Sequence, residues 1–429
     1  MPSKPSIKQL SIIIVVSFGL VIIPFLLSPY FRETNISNIL IYQIIRQTQT
    51  TEPPEEPPPV IEDYPYHFHA TWSDINASIT ITMTWRTDET NISAIRYDIT
   101  SKGGDAALYS SEKTINGTIF SGSYLYTVNL SNLQPNTTYY FVCGSDEGGW
   151  TDEIKFRTPD LQPKEIIFIA GGDSRTQVSI RNSVSDLMKN YSPEFVIHSG
   201  DIVTDGRIQS QWDTWFDGMD NYWKTNDNFT IPIIPCLGNH EYNASYYYDQ
   251  FALPNNERWY SIDYSSLLHI ICLDSNAPIG GEQLIWLEND LKNYNNTPWK
   301  IVFFHHPPYC EGGHTSRIDI RDTWGPIFDE YNVSIVFNGH CHLYERTNPI
   351  KNETVVDSYL NGTMYIVTGG WGAPLSSTNF QWWTNNTESC YHFCLINVTT
   401  NVDNSTLELK QIRLDNTIGD TVKIIKDLL

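Results

Sequence analysis

Five times between residues 165 and 342 an apolar run ends in a short polar cluster: EIIFIAGGDSR, FVIHSGD, IPIIPCLGNHE, WKIVFFHHPPY and VSIVFNGHCH. Runs this short, rich in Ile, Val and Phe, predict strands covered on both faces. Residues 178–190 have helical spacing, so strand, helix and strand follow one another and make a βαβ unit. Open α/β sheets place their sites beyond the C-terminal strand ends, which gathers the five clusters in one place. The glycines before most of them permit the sharp turn from strand to loop.

The clusters are Gly172-Asp173-Ser174-Arg175, Gly200-Asp201, Gly238-Asn239-His240-Glu241, His305-His306-Pro307-Pro308 and Gly339-His340-Cys341-His342. Carboxylate, amide and imidazole donors suit Mn, Fe or Zn, whereas a calcium site would not need the histidines. Two metals fit this inventory better than one. No Ser/His/Asp grouping is apparent. The seven cysteines form no CxxC pair, which argues against a zinc knuckle, and their odd number leaves at least one thiol unpaired. Buried free thiols are the expectation for most of them. His67, His69, His198, His269 and His392 read as ordinary core or surface histidines, and Trp212, Trp215 and Phe216 as core.

Ahead of the clusters, ITITMTW at 79–85 alternates apolar with threonine, and 124–130, 138–142 and 154–156 repeat that strand texture. Short strands at this spacing predict a β-sandwich. Residues 126–159 resemble the closing strands of a fibronectin type III-like domain of the kind that precedes the catalytic domain in purple acid phosphatases. Asn136 and Thr137 fall at a strand turn, and Tyr139 packs inward. Taken in order, the five clusters resemble the calcineurin-like metallophosphoesterases, and most closely the purple acid phosphatases. The fold class this implies is α+β: an αββα sandwich metallophosphoesterase domain at 161–429, preceded by an all-β fibronectin type III-like domain at 62–160.

The resemblance implies that Asp201 bridges two ions, that Asp173 and His342 complete the first site, and that Asn239, His305 and His340 complete the second. His306 then falls in the outer pocket. Water would be the nucleophile, with His240 facing the phosphate and Glu241 orienting its ring. His314, five residues beyond Tyr309, is a second candidate acid or else a surface loop residue. Glu345, in HLYER, reads as support behind the ligands, and Gly369-Gly370-Trp371-Gly372 as a rim loop. The chain departs from the family twice. Thr204 stands where purple members carry the tyrosine that colours a ferric ion. Arg175 stands where relatives have His or Gly; it cannot ligate, and either clamps a phosphate oxygen or pairs with a site carboxylate. The activity implied is hydrolysis of phosphate monoesters, with a phosphodiesterase or a non-catalytic adhesion or sensing ectodomain as alternatives.

Residues 10–27 are uncharged and apolar, long enough to span a hydrocarbon core as one helix. Lys4 and Lys8 precede the run, so the positive-inside bias gives a cytoplasmic tail at 1–9, a signal-anchor at 10–31 and an extracellular remainder. A cleaved signal peptide is the competing reading. Prolines and glutamates fill the spacer at 32–61. Sixteen Asn-x-Ser/Thr triplets fit an exported, N-glycosylated chain. The formal charge of −22, with no basic patch, argues against a nucleic-acid partner. The partners expected are a small phosphoester and, through one N-terminal helix, a membrane.

Overall fold

The computed structural model describes residues 62–428 and, as backbone, 11–16 and 19–24. In these two short stretches the backbone does not form the expected single helix. Ser11–Val16 and Gly19–Pro24 are strands paired antiparallel. The sequences SIIIVV and GLVIIP explain this, because branching at Cβ favours extended backbone and Pro24 lacks the donor a helix would need. The tail at 1–9 and the spacer at 32–61 lie outside the described residues. Among the described residues no helix is long and apolar enough to cross a membrane.

The all-β part is a sandwich of two antiparallel sheets. One orders Tyr66–Thr71, Ile81–Thr87, Ser123–Leu130 and Thr118–Phe120; the other is built on Ile92–Asp98 and Thr138–Ser145. Alternate residues of both sheets, among them Met83, Trp85, Ile95, Tyr126, Phe141 and Phe156, form its core. Tyr139 stacks inward on Phe156 with ring centroids 5.0 Å apart. Polar contacts pin the sandwich to the catalytic part: His69 Nε2 meets the Gln250 carbonyl at 2.6 Å, and the Arg86 guanidinium pairs with Asp213.

The catalytic part stacks two sheets. In the first, Glu165–Gly171, Phe195–His198 and Ile233–Pro235 are parallel, and His392–Thr400, Asn404–Arg413 and Ile418–Asp427 extend it antiparallel. In the second, Leu268–Cys272, Trp299–Phe303, Ile335–Asn338 and Met364–Thr368 are parallel. Strand alternation explains the layers. Ile301, Phe303, Ile335 and Phe337 turn inward, onto Ile166, Phe168 and Ile197 of the facing sheet. Val302, Phe304 and Val336 turn outward, under the helices Glu282–Asn293 and Ile318–Glu330. Helices Val178–Lys189 and Gln209–Asp220 supply the outer layer on the other side, burying Val184, Met188, Trp215 and Phe216. Both faces of each parallel strand are covered, which is why they read as unbroken apolar runs. The five polar clusters all emerge where these strands end.

Candidate metal centre

The loops that leave Gly171, His198, Pro235, Phe303 and Asn338 bring their first polar residues together. The offered donor atoms of Asp173, Asp201 and His342 lie within 4.8 Å of one another, and so do those of His305, His306 and His340. Asn239 joins the second group, its Oδ1 3.0 Å from His305 Nε2. His305 Nε2 is also 3.3 Å from Asp201 Oδ1 and 3.3 Å from His340 Nδ1. His342 Nε2 is 3.4 Å from Asp173 Oδ1. All six expected ligands are therefore in one cluster, with Asp201 between the groups.

Local backbone holds this arrangement. Asp173, Asp201 and His340 have left-handed φ of 60°, 56° and 69°, a conformation that costs energy outside glycine and persists where surroundings over-determine it. Gly200, with φ 91°, has no room for a side chain: a Cβ would come within 2.7 Å of Gly238 N and 2.8 Å of His305 Nδ1. A Cβ on Gly339 would lie 2.5 Å from Asp173 Oδ2. The His340 amide donates to that same oxygen at 2.9 Å.

The tautomers follow from the carbonyls behind the rings. His305 Nδ1 donates to the Ser199 carbonyl at 2.9 Å, and His342 Nδ1 to the Pro374 carbonyl at 2.7 Å. A carbonyl only accepts, so the proton is on Nδ1 and each Nε2 lone pair faces the cluster, the state a cation requires. Burial alone would raise the Asp173 carboxyl, but His342, His305 and His340 outweigh it and hold its pKa down to about 2. Burial works against a charged His342, and Asp173 overcomes it, so the ring sits above the ordinary histidine value. His340, desolvated and beside His305, is pushed down to about 3. Two buried carboxylates and three convergent imidazoles, with oxygen and nitrogen donors only, fit a site for transition-metal dications.

Around this centre the expectations divide. His240 is in place: its Nδ1 donates to the Thr204 carbonyl at 2.6 Å and its Nε2 stands 3.8 Å from Asp201 Oδ2. Glu241 does not orient that ring. Its carboxylate is fully buried and accepts from the amides of Gly238, Asp201 and Ile202 at 2.6, 2.9 and 2.8 Å, binding the Asp201 loop to the Asn239 turn. Burial, and then Asp201, push its pKa up to about 7. Arg175 Nε is 3.4 Å from Asp201 Oδ2, and an Nη is 3.4 Å from His342 Nε2. The Nε is buried without a hydrogen-bond partner.

His306 packs against His340, its Nδ1 on Ser275 Oγ at 2.8 Å. His314 is brought to the centre, its ring stacked on His340 with centroids 4.0 Å apart. Glu345 is not behind the ligands. It accepts from Trp383 Nε1 and Thr384 Oγ1, because its strand runs beside that of Thr384–Glu388. Nor is 369–372 a rim loop. Trp371 is fully buried beneath the site, its amide on the Gly172 carbonyl and its ring against His198, since the strand before it ends under Asp173.

Sequence reasoning missed the support beneath Asp173. The Gly200 amide donates to His198 Nδ1, so His198 Nε2–H donates to Ser174 Oγ, which also receives Trp215 Nε1–H at 3.0 Å. Adjacency of Ser174 to Asp173 was the available signal. All seven cysteines are free thiols, as expected for most of them.

Fold and donor set together define a metal-dependent phosphoric ester hydrolase. Residues 158–344 match the calcineurin-like phosphoesterase family, and residues 65–158 match the purple acid phosphatase N-terminal domain. Purple acid phosphatase 23 of Arabidopsis thaliana is 28% identical over 321 residues, covering 63% of this chain and 68% of the relative. Purple acid phosphatase 21 of the same plant is 25% identical over 383 residues, 83% of this chain and 80% of the relative. Acid phosphatase type 7 of Mus musculus is 28% identical over 308 residues, 60% and 66% of the two chains. The structure of a purple acid phosphatase from yellow lupin seeds superposes with a TM-score of 0.71 at 19% identity, over 84% of this chain and 74% of that one, a likeness of fold. The chain belongs with the calcineurin-like phosphoesterases of the purple acid phosphatase kind.

Proposed function

We propose that the protein hydrolyses phosphate monoesters at a centre of two metal ions, bridged by Asp201 and otherwise held by Asp173 and His342 on one side and Asn239, His305 and His340 on the other. The observation that carries this reading is the convergence of those six side chains from five loops, with the imidazoles of His305 and His342 locked by carbonyls into the ligating tautomer. When bound, the ions, Fe, Mn or Zn, supply Lewis acidity and offset charge during displacement at phosphorus by water.

The chain's own groups do the rest. His240 Nε2, fixed by the Thr204 carbonyl, faces the position of the phosphate and can give a proton to the leaving oxygen. The unpartnered Arg175 Nε can donate to a phosphate oxygen, which supports its reading as a clamp over that of a simple ion pair. His314, stacked on His340, is placed to meet the leaving group. Thr204 offers no phenolate, so no purple colour is expected.

We further place the catalytic part outside the cell, held to the membrane by the apolar segment at 10–27. Sixteen sequons less Asn35 leave fifteen described asparagines, and none of them is buried, which supports the glycoprotein reading. Glycosidase treatment of the protein from its native membrane should increase its gel mobility; an unchanged band contradicts this placement.

The activity is tested with the purified full-length chain, stripped and reloaded with Mn, Fe or Zn, on p-nitrophenyl phosphate and its bis ester. Metal-dependent turnover that favours the monoester is expected. A preference for the bis ester replaces phosphatase by diesterase, and hydrolysis of neither under any metal returns the reading to an adhesion or sensing ectodomain.

A further inference from the structure

Two of the free thiols meet beneath the metal centre. Cys310 begins the loop that carries His314, and Cys341 lies between His340 and His342. Both are fully buried and pack with Leu343 and Val367 in one small cluster, their thiols in hydrogen-bonding contact. Cys341 Sγ lies 3.9 Å from the His314 carbonyl, while Cys310 Sγ is 3.5 Å from the Gly312 amide. Both sulfurs are therefore under the same five-residue loop. The loop is pressed down on them: a Cβ on Gly312 would collide with Leu343 Cδ2.

We propose that Cys310 and Cys341 form a disulfide when the chain folds in an oxidising compartment, tying the 310–314 loop to the His340–His342 turn. The thiols need only close from contact to an S–S bond of about 2.05 Å, and Cys310 lies in a loop that can give by that amount. The buried pair Cys236 and Cys272 differs: Cys272 ends a strand, and its sulfur is boxed by the carbonyls of Pro235, Arg258 and Leu273, each 3.9 Å away.

The oxidant is a small-molecule or protein disulfide. One cysteine thiolate attacks it, expels a thiolate and forms a mixed disulfide. The second cysteine, losing its proton, displaces the other half, so two protein thiols become one disulfide and the oxidant becomes two thiols. Full burial of both sulfurs means that the exchange precedes closure of the loop.

The link holds the His314 ring over His340, so it deepens the proposed site and rests on that reading. Its readout is mass, which distinguishes its failure from a failure of the phosphatase reading. The full-length chain is reduced in denaturant and refolded with glutathione and glutathione disulfide. It is then alkylated in denaturant without reduction and mapped by mass spectrometry. The expected result is one cross-linked species holding the Cys310 and Cys341 peptides, two hydrogen masses below their sum, with Cys143 alkylated. Refolding with glutathione alone should lower the thermal midpoint by about 5 °C. Alkyl groups on both Cys310 and Cys341 after refolding with the disulfide overturn the proposal, as does a cross-link of either to another cysteine. The same map of protein secreted by a eukaryotic host gives the answer without refolding.

Discussion

His240 and Arg175 reach the carboxylate of Asp201 from different loops, and Thr204 holds both: its hydroxyl donates to the Arg175 carbonyl at 2.9 Å and its own carbonyl takes the His240 proton. Thr204 thus fills by backbone contacts the place where relatives carry a metal-bound phenol. Two substitutions separate the roles. His240→Asn should lower kcat roughly 100- to 10,000-fold with metal content unchanged, as loss of a positioned acid does. Elemental analysis alongside steady-state kinetics checks both halves, and a loss of metal contradicts the assignment. Arg175→Gln should instead raise KM for a monoester about tenfold, the cost of one charged hydrogen bond to phosphate. An unchanged KM assigns the guanidinium to Asp201 alone. The ligands were legible in the sequence because short polar motifs follow apolar strands. The carbonyls of Ser199, Thr204 and Pro374 were not, since any residue type supplies a carbonyl and only the fold decides which one faces a ring.

At the scale of elements, each ligand is delivered by a strand end and a tight turn, and Glu241 couples two of those turns. Its carboxylate collects three amides from both sides of the Asp201 and Asn239 loops. Glu241→Gln replaces one accepting oxygen by a donor that faces amides, so metal affinity should fall about 10- to 100-fold while the fold is retained. A competitive chelator titration measures this, and an affinity equal to wild type contradicts the coupling. The residue's proximity to His240 in sequence pointed to the wrong neighbour, because the helical turn Asn239–Glu241 directs successive side chains to different sides. The 369–372 segment misled for a related reason. Glycines read as an exposed rim, whereas here they allow the chain to pass close behind Asp173, where a Cβ on Gly369 would come within 2.8 Å of Oδ2. The sandwich strands and the parallel strands were legible from alternation and from apolar runs respectively. In Ser11–Val16 and Gly19–Pro24 the β-branched composition outweighed the length of the apolar run.

For the molecule as a whole, the two sheets bury histidines that must stay neutral. His69 and His392 are both enclosed, and burial pushes each down to about 4. A histidine with a folded pKa below its unfolded value of about 6.5 costs nothing above that pH. Between about 6.5 and 4 the unfolded chain takes up protons that the fold refuses, so stability falls as pH falls. At pH 5 each should remove about 2 kcal/mol. Thermal melts of metal-free protein from about pH 7.5 to 5 should show a falling midpoint, with a smaller fall in His392→Gln. A midpoint that rises on acidification contradicts the assignment of these rings as neutral.

The central claim is that five loops gather six side chains around a pair of ions joined by Asp201, and anomalous diffraction from crystals of the metal-loaded protein tests it most directly. The expected result is two anomalous peaks on either side of the Asp201 carboxylate, one beside Asp173 and His342 and one beside Asn239, His305 and His340, both lost in Asp201→Asn. A single peak, or peaks remote from Asp201, would contradict the account.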